Sequence, residues 1–161
     1  MPARLSEDAR TAMLTSATAE ARRRGDRRLG TEHLLLGLLH DPTSTAARAL
    51  GVSLEDARGA SAALDVAALA ALGIEVREVG AGPPPSPGRR FPPFTSGARA
   101  TLKRAVDEAR LGAGRVETRH LLHALLALRP PDPAATLLEH LGVDPAVVRD
   151  RLDAFSDGES A

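Results

Sequence analysis

The chain has 161 residues, enough for one domain with its own core, and its 21 basic and 21 acidic side chains give a formal net charge of zero. This balance argues against a general nucleic-acid or membrane-surface binder, which usually carries a basic excess, and the absence of cysteine excludes disulfides and thiolate metal ligands. Aromatic residues make up only 2% of the chain, so a core of Leu, Ala and Val is expected, and the abundance of Ala and Leu predicts an all-α fold.

Four helices are predicted in the first half of the chain. The first has Ser6 as its N-cap and an apolar face of residues spaced four apart. The members of that face are Leu5, Ala9, Met13, Ala17 and Ala21. The stretch GTEHLLLGLLH predicts a second helix with Thr31 as its N-cap and a wide leucine face. The third and fourth helices are predicted at STAARALGV, which ends in the cap Gly51, and at SLEDARGASAAL, with Ser53 as N-cap.

The second half of the chain repeats this order. The segments FTSGARATLKRAVDEARLG, VETRHLLHALLAL, PAATLLEHLGV and DPAVVRDRLDAF correspond in turn to the four helices of the first half. Thr95 takes the N-cap position of Ser6, and Arg119 stands where the first copy has Glu32. The sequence therefore predicts about eight helices in two pseudo-symmetric four-helix repeats that share one core, with Phe94 and the leucines of both second helices in or beside it.

Domain boundaries follow from the repeats and from a proline-dense stretch between them. We expect one domain over residues 1–161, with repeat 1 at 1–64, a linker at 65–93 that is proline-rich at 81–93, and repeat 2 at 94–155. Residues 156–161 are predicted to form a flexible tail. The segment AGPPPSPGRR is unsuited to helix or central strand, because proline lacks the backbone N–H donor. No apolar run is long enough to cross a bilayer, and a cytoplasmic protein is expected.

The repeated phrases point to a known family. The phrases RLSEDAR, GTEHLLLGLL and AARALGV, followed by PFTSGAR and RHLLHALL, resemble the amino-terminal domain of Clp unfoldases of the ClpC and ClpA type over nearly the whole chain. In that family the domain is a substrate and adaptor docking platform attached to ATPase modules. The sequence has no G-x-x-x-x-G-K-[ST] phosphate loop, so no ATP binding is expected, and the chain is interpreted as a stand-alone relative of the docking domain.

The resemblance implies a first pocket for phosphoarginine, formed by Ser6, Thr31 and Glu32, with the two helix starts side by side. Phosphoarginine presents a dianionic phosphate beside a guanidinium, so its receptor needs N–H donors at a helix start and a carboxylate. The alternative is that Glu32 only complements the positive end of its own helix, a surface effect of about 0.3–1 kcal/mol. The sequence leaves both interpretations of Glu32 open.

The second pocket implied by the resemblance is formed by Thr95, Thr118 and Arg119. A positive charge at Arg119 repels the guanidinium of a ligand while it attracts the phosphate, so this pocket is not expected to recognise phosphoarginine in the family's way. Glu117 could compensate only if the backbone shifted.

A further family surface, which binds adaptor proteins and cyclic peptide antibiotics, maps onto Pro2, Ala3, Arg99 and Lys103. The family's aromatic residue at the chain start is missing here, and so is the acidic residue on its fifth helix. Loss of an aromatic anchor weakens a binding hot spot, so the known ligands of that surface are not assumed to bind. For Lys103, an ordinary exposed helix charge is the better interpretation.

Neither a metal site nor a catalytic site is predicted, and no cofactor is expected. His120 and His123 are three residues apart on a helix, but two ligands do not complete a zinc site, and no G-x-S-x-G motif is present. The predicted function is a non-enzymatic docking module for proteins or peptides, such as arginine-phosphorylated substrates, adaptors or a Clp ATPase, or a module that sequesters peptides. The alternative is a regulator of one dedicated protein partner, such as a Clp ATPase, in which both ancestral pockets are lost.

Overall fold

The structure is a computed structural model that describes residues 3–75, 91–112 and 114–159. The α-helices in these ranges are α1 (Glu7–Arg10), α2 (Ala17–Arg24), α3 (Thr31–Leu38), α4 (Thr45–Leu50), α5 (Leu54–Ala71), α6 (Ser96–Arg110), α7 (Thr118–Leu126), α8 (Pro133–His140) and α9 (Pro145–Glu159). A π-helical segment, Thr11–Ser16, joins α1 and α2 into one rod. Each repeat therefore contains four helical rods, and the predicted all-α fold of two four-helix repeats is confirmed.

Side-chain caps start several of these helices where the sequence predicts them. Ser6 Oγ accepts the Ala9 N–H at 3.1 Å, and Thr95 Oγ1 accepts the Ala98 N–H at 3.1 Å. The predicted cap at Thr31 is wrong, because Thr31 is already the first helical residue of α3 and Gly30 is the N-cap. The free N–H of Gly30 is instead satisfied by the ring of His33.

The core lies between α3 and α7, the second rods of the two repeats. Both helices are covered by the other rods, and the leucines predicted for the core are buried. The buried leucines are Leu34, Leu35, Leu36, Leu38 and Leu39 around α3 and Leu121, Leu122, Leu125 and Leu126 on α7. Phe94 is half-buried and packs against this core. Aliphatic packing of two equivalent helices thus holds the repeats together.

Helix α3 approaches the π-helical segment closely at Gly37. A Cβ at this position would overlap the carbonyl oxygen of Ala12. The π-helical turn packs on α3 at this point, and a side chain larger than hydrogen on Gly37 would push the two elements apart. Glycine is therefore required here for packing, although it weakens the helix itself.

Two short backbone pairings, which the sequence analysis did not predict, connect the repeats. Strand β1 (Arg4–Leu5) pairs in parallel with β2 (Arg115–Val116), and an isolated bridge joins Leu29 to Phe94. The two pairings are pseudo-equivalent, because each joins the residues before the first rod of one repeat to the residues before the second rod of the other. At both places, the residues before the first rod of one repeat are therefore paired with the other repeat.

The helices run past two of the predicted boundaries. Helix α5 continues beyond residue 64 to Ala71, and α9 continues beyond residue 155 to Glu159, so residues 156–159 are helical where a tail was predicted. Most of the predicted proline-rich stretch, residues 81–90, lies outside the described residues. Within the described part of the chain, no helix has the length and apolar character needed to cross a membrane.

Candidate functional site

The predicted site residues come together in a different grouping from the one expected. The Ser6 N–H donates to the Val116 carbonyl oxygen at 2.8 Å, which joins the start of the first rod to the start of α7. The Thr95 N–H donates to the Leu29 carbonyl oxygen, also at 2.8 Å, which joins the start of α6 to the start of α3. The expected pairing of Ser6 with Glu32, within one repeat, is therefore corrected: each site combines both repeats, because the residues before each first rod pair with the other repeat.

We call the first of these two places the Glu32 site, formed by Glu32, Thr31, Thr95, Gly97 and Asp132. The Glu32 side chain is 19% exposed and folds back over the start of α3, where a Cβ on Gly30 would overlap its carboxylate. Its Oε2 is buried and has no hydrogen-bond donor among the described residues. A carboxylate oxygen with this spare capacity can accept a donor from a ligand.

Thr31 has a structural role in this site. It is only 2% exposed, and its Oγ1 donates to Asp132 Oδ1 at 2.8 Å and accepts the Ala134 N–H at 3.3 Å. These two bonds occupy the hydroxyl and tie α3 to the start of α8. The expectation that Thr31 offers its hydroxyl to a ligand is therefore corrected.

Asp132 belongs to the Glu32 site, although it was not among the residues predicted from sequence. Its Oδ1 caps α8 by accepting the Ala134 N–H at 2.9 Å, and its Oδ2 lies 3.6 Å from where a Cβ on Gly97 would stand, in the first turn of α6. The starts of α3, α6 and α8 thus converge, and two carboxylates lie among them. The available signal was an aspartate directly before Pro133, which is typical of an N-cap followed by a first-position proline.

A buried hydrogen-bond network supports the start of α3. His33 is 1% exposed, and its Nδ1 accepts the Gly30 N–H at 2.9 Å, so the ring hydrogen lies on Nε2 and is donated to Asp26 Oδ2 at 2.8 Å. Asp26 also accepts a hydrogen bond from Arg24 Nε at 2.8 Å. Burial alone would raise the pKa of Asp26, but the hydrogen bonds from Arg24 and His33 outweigh it and lower this pKa from 3.8.

Asp26, Glu32 and His33 also form a group of metal-ligand types, with one donor atom of each within 4.8 Å of the others. The histidines singled out from sequence, His120 and His123, are not part of this group. Both ring nitrogens of His33 are engaged by hydrogen bonds, and Arg24 already neutralises Asp26. These hydrogen bonds account for the grouping, and the absence of a metal site stays a prediction.

We call the second place the Arg119 site, formed by Ser6, Glu117, Thr118, Arg119 and Ser156. Glu117 is the N-cap residue of α7, and its Oε2 lies 2.8 Å from Arg119 Nε, an ion pair whose angle is unsuitable for a hydrogen bond. Arg119 Nη1 donates to Ser156 Oγ at 3.3 Å. Arg119 is therefore neutralised by its neighbour and directed toward the end of α9, so the two sites differ in charge.

His120 occupies the place of His33 in the second repeat, but its ring forms no hydrogen bond or ion pair with an acidic side chain among the described residues. Its Nδ1 accepts the Glu117 N–H at 2.9 Å, as His33 accepts that of Gly30. Burial lowers the pKa of His120 from 6.5, and the positive charge of Arg119 lowers it further. The two helix starts are thus alike in backbone geometry and unlike in charge.

The residues expected on the adaptor surface differ in their burial and contacts. Pro2 lies outside the described residues, and Ala3 is half-buried against the core. Arg99 and Lys103 are exposed one turn apart on α6, and Lys103 Nζ lies 2.6 Å from Asp107 Oδ2. This pair agrees with the interpretation of Lys103 as an ordinary helix-surface charge.

Comparison with known proteins agrees with this architecture. The chain is 34% identical over 149 residues to the chloroplastic chaperone protein ClpC of Pisum sativum, and 36% identical over 141 residues to the chloroplastic chaperone protein ClpC2 of Oryza sativa subsp. japonica. These matches cover 90% and 83% of this chain, but only 14% and 13% of those relatives. The crystal structure of the N-terminal domain of the caseinolytic protease associated chaperone ClpD from Arabidopsis thaliana has the same fold. It matches with a TM-score of 0.69 and 19% identity, over 96% of this chain and 95% of that one.

The two repeats also match a family of known domains one after the other. The Clp repeat (R) N-terminal domain matches residues 4–92 and again residues 93–160. The two matches meet at the crossed pairing of Leu29 with Phe94, where the second repeat begins. The chain therefore belongs to the Clp repeat N-terminal domain family.

Proposed function

We propose that this domain is a docking module that binds segments of proteins or peptides, and that the Glu32 site receives an arginine-type side chain, with or without a phosphoryl group. Domains of this family bind protein substrates and adaptors in Clp unfoldases, which supports the general part of the proposal. The observation that carries the specific part is Glu32 Oε2, a buried carboxylate oxygen that no described residue satisfies.

A guanidinium fits the donor requirement of this oxygen. Arginine presents five N–H donors in a planar fork and forms two parallel hydrogen bonds with a carboxylate. Glu32 Oε1 lies 3.9 Å from His33 Nδ1, a ring nitrogen already occupied by the Gly30 N–H, so both oxygens of Glu32 can turn to a ligand. The His33–Asp26 contact holds the helix start that carries Glu32.

The other half of a phosphoarginine would lie against α6. The first-turn N–H groups of that helix and the exposed Arg99, which forms no ion pair with described residues, are the groups suited to a phosphate. Gly97 leaves the first turn of α6 without a side chain. These features define where a phosphoryl group would lie if the arginine ligand carried one.

Calorimetry with short peptides tests the proposal. One peptide carries a single arginine and its twin a single phosphoarginine, and each is titrated into the wild-type domain and into Glu32→Gln. We expect at least one of the peptides to bind with Glu32 present and to lose about tenfold or more in affinity in Glu32→Gln, since the ligand's charge loses its partner. The matched control is Glu117→Gln, which removes the carboxylate at the Arg119 site. Wild-type domain that binds neither peptide contradicts the proposal.

A second candidate function is a regulator that engages one dedicated protein through its helical surface. The observation that favours it is the end of α5 and the residues just after it, where Val66, Leu72 and Ile74 are 51%, 76% and 50% exposed. Large apolar residues exposed close together in the chain are typical of an interaction surface. Capture of the same partner by wild type and Glu32→Gln, with loss of capture in Leu72→Asp, would favour this candidate over the arginine site.

A further inference from the structure

We infer that Asp132 makes the Glu32 site selective for an unmodified guanidinium and against its phosphorylated form. This inference rests on the proposed function, because it specifies which arginine-type group the same site accepts. It goes beyond that proposal because it depends on Asp132 and because it excludes phosphoarginine as a ligand.

The position of Asp132 is the first step. Its Oδ1 accepts hydrogen bonds from Thr31 Oγ1 at 2.8 Å, from the Ala134 N–H at 2.9 Å and from the Ala135 N–H at 3.4 Å. Its Oδ2 receives no hydrogen bond from a described residue, and it lies beside the first turn of α6, 3.6 Å from the place of a Cβ on Gly97. The carboxylate is therefore held on one side by three donors and presents its other oxygen to α6.

The electrostatic consequence is the second step. The N-terminal turn of α6 is where the dianionic phosphate of a phosphoarginine would find N–H donors. Asp132 already places a negative charge at that turn, and Glu32 places another at the start of α3, so a phosphate meets like charge while a bare guanidinium does not. Arg99 is the basic residue on the first turns of α6, and it is exposed to solvent, where salt screens its attraction.

The other repeat shows the neutral version of the same position. Ser44 begins α4 as Asp132 begins α8, and its Oγ accepts the Ala47 N–H at 3.1 Å. Serine and aspartate are both good N-caps, so the charge of Asp132 is not needed to start the helix. This comparison supplies a substitution, Asp132→Ser, that removes the charge and keeps a cap.

The test measures the affinity ratio of the arginine peptide to its phosphoarginine twin by calorimetry at low salt. In wild type we expect the arginine peptide to bind about tenfold more tightly or better, and in Asp132→Ser we expect the ratio to fall toward one or to invert, because the repulsion of the phosphate is removed. Asp132→Asn, which is neutral and nearly isosteric, should behave in the same way. Thermal unfolding by circular dichroism shows whether either variant has lost its fold, and the two replacements differ in their hydrogen bonding to Thr31.

The outcomes separate this inference from the proposal on which it rests. Glu32-dependent binding that favours phosphoarginine in wild type overturns the selectivity of Asp132 and leaves the arginine site standing. An affinity ratio that is the same in wild type, Asp132→Ser and Asp132→Asn also overturns it. Absence of Glu32-dependent binding for both peptides overturns the arginine site and the selectivity together.

Discussion

Arg58 of α5 lies against the carboxylate of Glu20 on α2, with 2.6 Å between its Nη2 and Glu20 Oε1 and 3.1 Å between its Nε and the same oxygen. Glu20 is buried, and His40 Nε2 lies 2.7 Å from its Oε1 on the other side. This cluster ties the first, second and fourth rods of repeat 1 together. It is the buried ion pair on which the first prediction depends.

Replacing Arg58 by methionine should lower the free energy of unfolding by about 3 kcal/mol, because it leaves the buried Glu20 carboxylate with His40 alone. The measurement is urea unfolding at neutral pH. Arg149→Met is the matched control: Arg149 occupies the equivalent place in repeat 2 but bonds only to the Leu126 carbonyl oxygen among described residues, at 2.8 Å, so a loss of about 1 kcal/mol is expected. Equal losses in the two variants would show that the Glu20 ion pair adds nothing.

The stability of the domain should fall in acid. Burial acts to raise the pKa of Glu20, but hydrogen bonds from Arg58 and His40 outweigh it, so the folded-state pKa of Glu20 lies below its ordinary value of 4.5. The folded-state pKa of Asp26 likewise lies below its ordinary value of 3.8. The unfolded chain therefore takes up protons first as the pH falls. Full stability from these groups is expected above about pH 5, with progressive loss as the pH falls through the folded-state pKa values. Urea midpoints measured from pH 7 to 3 test this, and Asp26→Asn should make the fall shallower.

His120 should add a separate loss between neutral and mildly acidic pH. Its pKa is lowered in the folded state by burial and by Arg119, so protonation favours the unfolded chain once the pH falls below 6.5. The stability contributed is complete above that value and is lost as the pH falls toward the folded-state pKa. Comparing urea midpoints at pH 7.5 and 5.5 in wild type and His120→Gln measures this effect. An identical change in both proteins would contradict it.

Gly37→Ala should destabilise the domain by about 1–3 kcal/mol, although alanine is the better helix former, because the new methyl group meets the Ala12 carbonyl oxygen. Gly59→Ala is the matched control. It lies inside α5, where a Cβ meets nothing within 4 Å, and a gain of about 0.5–1 kcal/mol is expected from helix propensity alone. Thermal unfolding of the two variants should therefore shift the melting temperature in opposite directions.

Arg119→Glu should create a second binding site for an arginine peptide. The change places a carboxylate at the position that corresponds to Glu32, and it removes an ion pair with Glu117 that is partly exposed and contributes under about 1 kcal/mol. Calorimetric stoichiometry should rise from one peptide per domain toward two. Arg119→Ala serves as the control, since it removes the positive charge without supplying the acceptor, and it should remain at one.

Local patterns in the sequence predict most of the helices but little of the site. Caps such as Ser6 and Thr95 and the leucine face of α3 depend on neighbours within a few residues, so periodicity and residue type are enough to find them. The contact between Thr31 and Asp132 joins residues far apart in the chain, and no local pattern contains it. The π-helical turn could not be predicted for a different reason. The apolar spacing of Thr11–Ser16 is that of an ordinary α-helix, and only the folded structure shows the close contact of this segment with Gly37.

The sequence resemblance names candidate residues at both helix starts, and the structure brings those residues together in a different grouping. Equivalent positions were found because the repeats share phrases, but the grouping assumed that each repeat forms its own pocket. Instead, two two-residue strands and one isolated bridge pair the start of each repeat with the other repeat. These pairings are too short to show a strand pattern in the sequence. The charge difference between Glu32 and Arg119 is plain in the sequence, whereas the second carboxylate at the Glu32 site, that of Asp132, is found only in the folded structure.

The crossed pairing of β1 with β2 and of Leu29 with Phe94 has a consequence for how the two sites could diverge. Two identical copies of one repeat, associated in the same way, would form a symmetric dimer with two sites that any mutation changes together. Joining the copies in one chain removes that coupling: a substitution at Glu32 or at Arg119 now alters one site and leaves the other unchanged. Covalent duplication therefore frees one site to evolve a new ligand while its twin retains the old one.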